Sequence, residues 1–234
     1  MHAIGESADL HLKDLEVYRE SSPSAGYSID EELDAVDRFA EAQGLDRFHL
    51  IGYSGGGFIA LACAGTRSGR VVSLALFEPA RIPGRLSARE RDAFAALEAK
   101  LSGLQGSEFM AAFVREQVKP GVQVSPPPPS ISVEMQKRPA GIAALIRAFE
   151  TYQFDRASLA AAPFPVLVTY GDLTNEIESI KAGVLAELFN DVRVRRYPGI
   201  HHFVPPEQIY TPAYAQALLN HWSSAETSAA QLPL

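Results

Sequence analysis

Four short apolar runs punctuate the chain: Phe48 to Gly52, Val71 to Phe77, Pro165 to Gly171 and Val192 to Tyr197. Each is rich in Val, Leu, Ile or an aromatic residue, and runs of this length predict buried strands of a parallel sheet. A weaker fifth candidate spans Leu15 to Arg19. Between the runs the pattern changes to helical spacing. Ser28 to Ala42 opens with Ser28 as a predicted N-cap and Glu31 three residues on, the spacing of a capping box. Its apolar positions Leu33, Val36, Phe39 and Ala40 share one face, and Asp34, Asp37, Arg38 and Glu41 the other. Strands alternating with helices predict an α/β fold, a mostly parallel sheet with helices on both faces.

From Ile82 to about Ala162 the strand signal stops. Ser87 to Leu101, Glu108 to Glu116 and Ala140 to Tyr152 read as helices around a loop at Val124 to Ser130 that contains four consecutive prolines, Pro126 to Pro129. A helical block between two strands predicts a cap insertion at 82–162 on a core made of 1–81 and 163–234. Phe94, Phe109, Met110, Phe113, Leu145 and Phe149 recur through it at helical spacing, a pattern more typical of packing than of a substrate wall.

Composition narrows the classes of function. The 234 residues carry a formal net charge of −7 and no run of Lys or Arg, which argues against a nucleic-acid partner. No stretch approaches about 18 unbroken apolar residues, so no membrane partner is expected. Met1 to Lys13 lacks the basic start and apolar stretch of a signal peptide. The single cysteine, Cys63, excludes an intrachain disulfide and fits a reducing cytoplasm.

The segment Phe48-His49-Leu50-Ile51-Gly52-Tyr53-Ser54-Gly55-Gly56-Gly57-Phe58 runs strand, turn, helix, with Gly52-x-Ser54-x-Gly56 at the turn. A serine at the tip of so sharp a bend leaves no room for neighbouring side chains, so glycines must flank it. The following helix aims its N-terminus at the serine, where its partial positive charge would stabilise an oxyanion, with the Gly55 N–H as first donor. A chain of this composition should contain about 0.1 chance matches to the five-residue pattern. Ser54 is therefore the candidate nucleophile.

The stretch from Leu15 to His221 resembles the α/β hydrolases, the superfamily of esterases, lactonases, C–C hydrolases, proline iminopeptidases and haloalkane dehalogenases. The resemblance rests on Tyr27-Ser28-Ile29, on Leu-Ile-Gly-Tyr-Ser-Gly-Gly-Gly at 50–57 and on Pro-Gly-Ile-His-His-Phe at 198–203, in family order. Dehalogenases carry an aspartate where this chain has Ser54, so the resemblance implies ester or amide chemistry. It also implies a base after the last strand. Of six histidines, His202, directly before Phe203, fits the family pattern better than His201, while His49 reads as a core residue. The His201–His202 pair lacks a third ligand at metal spacing, and neither metal nor cofactor is expected.

The acid departs from the pattern. The family usually takes it from a Gly-x-x-Asp loop, which here reads Gly171-Asp172-Leu173-Thr174 and places a threonine at the acid position. Some members move the acid to the end of the preceding strand, where this chain has Leu76-Phe77-Glu78-Pro79. Glu78 is favoured, with Asp172 as the alternative. The resemblance further implies a second oxyanion donor in the opening Met1-His2-Ala3-Ile4-Gly5, at Ala3 or Ile4. A chain starting here would lack about three strands of the family's sheet. Leu15 to Arg19 or a partner chain, as in a homodimer, would then have to cover the strand before Ser54.

These readings converge on hydrolysis of a small-molecule acyl substrate (an ester, thioester or lactone) through an acyl-enzyme. The rivals are a C–C hydrolase, lyase, acyltransferase or haloperoxidase-like enzyme on the same scaffold, and a catalytically impaired binding protein.

Overall fold

Four parallel strands form one sheet in the order β1-β2-β3-β4 in the computed structural model, which describes residues 4, 7–20, 22–104, 106–124 and 133–230. They are β1 (Phe48–Tyr53), β2 (Val71–Phe77), β3 (Val166–Gly171) and β4 (Val192–Tyr197). Every residue of β2 is buried, because helices cover both faces of the sheet and side chains alternate between them. Leu74, Leu76, Val166 and Val168 meet one layer, built from α1 (Ile29–Ala42), α2 (Gly55–Thr66) and α7 (Glu176–Leu188). Ala75, Phe77, Leu167 and Tyr197 meet Tyr214, Leu218 and Trp222 of α9 (Thr211–Ala230), which follows the short α8 (Pro206–Ile209), on the other face, where Ile4 also lies.

Three sequence expectations need correction. The outer runs are edge strands rather than buried ones: Ile51 and Tyr53 of β1 are exposed, as are Arg193, Val194, Arg195 and Arg196 of β4. Position in the sheet decides this, and an apolar run does not report it. The arginines of β4 also discourage further strand pairing. Leu15 to Arg19 is not a strand. Glu16–Tyr18 is one 3₁₀ turn, because the buried Glu32 carboxylate at the start of α1 captures the N–H groups of Glu16 (2.9 Å) and Val17 (3.0 Å) and the Tyr27 hydroxyl (2.9 Å). Ser28 is the α1 N-cap residue but makes no capping hydrogen bond from its side chain, so the box expected with Glu31 does not form.

Between β2 and β3 lie α3 (Ala88–Leu101), α4 (Gly106–Glu116), α5 (Val133–Thr151) and α6 (Ala157–Ala160). A capping box does form on α3, where Ser87 Oγ accepts from Glu90 N–H and Glu90 accepts from Ser87 N–H. The same buried Glu90 carboxylate receives Arg156 in a bidentate pair (2.7 and 2.9 Å), tying the start of α3 to the segment before α6. The α5 helix starts earlier than its periodicity predicts and carries Pro139 within it. It packs on the N-terminal segment at Gly141, where a Cβ would come within 2.2 Å of the Tyr18 ring. The tetraproline run lies outside the described residues. No described helix is long and apolar enough to cross a membrane.

Candidate active site

The ends of β1, β2 and β3 and the loop after β4 converge on one point. Ser54 stands between β1 and α2 with φ 51° and ψ −121°. A side chain in this region is strained, by about 1–3 kcal/mol, and persists only where its surroundings enforce it. Here the Ser54 carbonyl accepts from Gly57 N–H (2.9 Å) and Ala80 N–H (2.8 Å), and its N–H donates to the Phe77 carbonyl (3.2 Å). Space requires Gly52 and also Gly57, whereas a Cβ at Gly56 would meet nothing within 4 Å, so the expectation of steric need on both sides of Ser54 is corrected at Gly56. A Cβ at Gly52 would lie 2.7 Å from Ala60 Cβ, Gly56 O and Gly57 Cα, and one at Gly57 would lie 2.7 Å from Pro79 Cα. Gly55 is the first residue of α2, so its N–H belongs to the first turn that has no acceptor inside the helix. A Cβ there would face Leu145 (3.3 Å) and Leu15 (3.5 Å), which places an apolar wall beside the serine.

His202 lies in the loop after β4, its ring buried, with Nε2 3.1 Å from Ser54 Oγ and Nδ1 2.9 Å from Glu78 Oε2. A carboxylate can only accept, so Nδ1 carries the hydrogen, and in the neutral ring Nε2 accepts from the serine hydroxyl. Tyr53 steadies this loop: its hydroxyl donates to the His202 carbonyl (2.6 Å) and its ring lies 5.0 Å from the imidazole. Burial, with the Glu78 charge nearby, raises the proton affinity of the Tyr53 phenolate, so it remains a neutral donor.

Glu78 is fully buried just beyond β2, again at positive φ (45°). Its second oxygen accepts from Gly171 N–H (2.8 Å) and from the Thr174 hydroxyl (2.5 Å). Thr174 occupies the position where the family pattern expects the acid, and it contributes a hydrogen bond to a carboxylate held on the neighbouring strand. Asp172 is placed elsewhere. It accepts from Gly199 N–H (2.8 Å) and braces the turn that leads to the histidines. His201 accepts from Phe203 N–H (3.2 Å), and burial lowers its affinity for a proton. His49 lies across the sheet, bonded to Ser73 Oγ (2.8 Å) and stacked on Trp222. Ala3 lies outside the described residues. The side chain of Ile4 is buried in the core, and its carbonyl accepts from Ser7 and Ala8 N–H.

Among the described residues, one group of acids and histidines is close enough to surround a cation: Glu78, Glu178 and His202. Glu78 already accepts from three donors, and His202 Nδ1 is one of them. The reading from sequence missed Glu178, Thr174 as a donor, and Tyr53. Only the i, i+3 spacing of Glu178 and Lys181 could have signalled the first.

A family model described as alpha/beta hydrolase fold matches residues 8–208. The chain belongs to this family. Solved structures share this fold. A bacterial membrane phospholipase A shares 24% identity at a TM-score of 0.63, matched over 87% of this chain and 65% of its own. This chain therefore spans less than two thirds of the phospholipase. NosK from Streptomyces actuosus shares 28% identity at a TM-score of 0.58, over 89% of this chain and 82% of its own. A thermophilic esterase from Thermogutta terrifontis shares 17% identity at a TM-score of 0.59, over 87% and 76%. No curated protein sequence matches the chain. Family membership supports a general hydrolase role and leaves the substrate open.

Proposed function

We propose that this α/β hydrolase is a serine hydrolase that cleaves a small ester, thioester or lactone through an acyl-enzyme on Ser54. The observation that carries the reading is the continuous line Ser54 Oγ, His202, Glu78, with contacts of 3.1 and 2.9 Å drawn from positions up to 148 residues apart. A serine hydroxyl needs a base to become nucleophilic, and His202 Nε2 is within reach of its proton. As Oγ bonds to the substrate carbonyl carbon, the proton passes to Nε2, and Glu78 stabilises the imidazolium and holds its tautomer. The carbonyl oxygen becomes an oxyanion facing the Gly55 N–H at the α2 N-terminus. His202 then returns the proton to the leaving alkoxide or thiolate, and the same groups activate water to release the acid. Leu15 and Leu145 beside Gly55 favour an apolar acyl group, with α3 to α5 serving as the cap.

The test is labelling with a fluorophosphonate, read by mass spectrometry, beside hydrolysis of p-nitrophenyl esters of increasing chain length. Wild type should be modified at Ser54 and hydrolyse at least one ester, and Ser54→Ala should do neither. A wild-type protein that is folded, unlabelled and inactive would favour a binding protein instead.

A further inference from the structure

Helix α7 begins two residues after Thr174 and carries a buried ion pair in its first two turns. Glu178 and Lys181 are 4% and 2% exposed, with Nζ 2.7 Å from Glu178 Oε1. Buried pairs seldom stabilise a fold more than apolar side chains of the same size would, so stability alone does not explain this one. Its partners indicate another role. The lysine also donates to the carbonyls of Pro79 and Ala80, so its three N–H groups are all used, two of them on the turn that carries Glu78. The glutamate faces the other way. One oxygen of Glu178, one of Glu78 and a ring nitrogen of His202 all lie within 4.8 Å of one another.

We propose that Glu178 is a positioning residue of the catalytic site: its carboxylate stabilises the imidazolium form of His202, while Lys181 clamps the Glu78 turn and holds Glu178 in place as its ion-pair partner. This inference rests on the serine-hydrolase reading above. Before proton transfer the cluster holds Glu78, Glu178, Lys181 and a neutral imidazole, one negative charge in excess. Transfer of the Ser54 proton to His202 brings it to neutrality. The other groups facing the imidazole are Tyr53 from β1, Ser54 from the bend and His201 from its own loop, with exposed Arg138 and Glu207 acting farther out, on Tyr53. Burial raises Glu178 above the usual carboxylate range and the Glu78 charge adds to this, while the Lys181 ammonium and His202 oppose the rise without cancelling it.

The experiment is the pH profile of kcat/KM on the best ester for wild type, Glu178→Gln and the double variant E178Q/K181M. Glu178→Gln removes the near carboxylate and leaves the ammonium uncompensated, so both changes weaken the imidazolium. Its acid limb should move down by about one pH unit with fluorophosphonate labelling of Ser54 retained. The double variant leaves no orphaned charge, carries the test if the single variant does not fold, and should shift in the same direction by less. A purely structural role would lower kcat at every pH and leave the limb in place. An unmoved or upward-moving limb in labelled, folded variants overturns the proposal. If wild type itself shows no Ser54-dependent turnover, it is the serine-hydrolase reading that fails.

Discussion

Replacing Glu78 by glutamine tests the acid assignment, and the structure supplies its expected size. The Glu78 carboxylate faces three donors: Gly171 N–H, the Thr174 hydroxyl and His202 Nδ1–H. The Gly171 amide belongs to β3 and cannot reverse, so the glutamine oxygen must stay on that side and its NH₂ must face Nδ1. Two donors cannot share that contact. The imidazole then takes the other tautomer, with hydrogen on Nε2 pointing at Ser54 Oγ, and the base becomes a donor. A wrong tautomer of this kind costs about 10⁴ in kcat, about 5.5 kcal/mol of barrier. Asp172→Asn is the control, because the asparagine oxygen can still accept from Gly199 N–H, and kcat should change by no more than about threefold. Initial rates on a p-nitrophenyl ester with circular dichroism on each variant decide the matter. Near-wild-type turnover by folded Glu78→Gln, or a loss of orders of magnitude confined to Asp172→Asn, refutes the reasoning.

Other consequences can be measured independently. Arg156→Met leaves the Glu90 carboxylate buried and unpaired and should cost about 3–5 kcal/mol in urea unfolding. Burial works to raise Glu90, but hydrogen bonds from Arg156 and Ser87 outweigh it and hold the group below its ordinary 4.5. Its contribution is therefore complete above pH 4.5 and lost as pH falls through the lower folded value, and Glu90→Gln should flatten that acid limb of stability. Gly52→Ala drives a Cβ into the α2 backbone at 2.7 Å, so expect a loss of at least about 1–3 kcal/mol in stability with sharply reduced Ser54 labelling. Burial pushes the Cys63 thiol up to about 11, so a thiol reagent at pH 8 should leave the native protein unmodified and react with one equivalent after denaturation.

What the sequence determined by itself was local. The Gly52-x-Ser54-x-Gly56 bend, the strands on either side of the helical segment and the loop of His201 and His202 are legible because backbone sterics and side-chain periodicity act over a few residues. The four runs became strands within a residue of their predicted bounds, since strand length and composition are set nearby. Whether a strand lies at the centre or the edge is not set nearby for β1, which reads like β2 until its neighbours are counted, although the three arginines of β4 already mark an exposed strand. The capping box read at Ser28 and Glu31 does not form, and Glu31 accepts from the Ser24 hydroxyl instead (3.4 Å). The acid shows the same division. Sequence could offer Glu78 and Asp172 as addresses, but only the parallel pairing of β2 with β3 puts Gly171 N–H, Thr174 and His202 around one carboxylate. Glu178 and Lys181 had no local signature beyond their spacing, because a buried charge is explained by partners that the chain brings in from about 100 residues away.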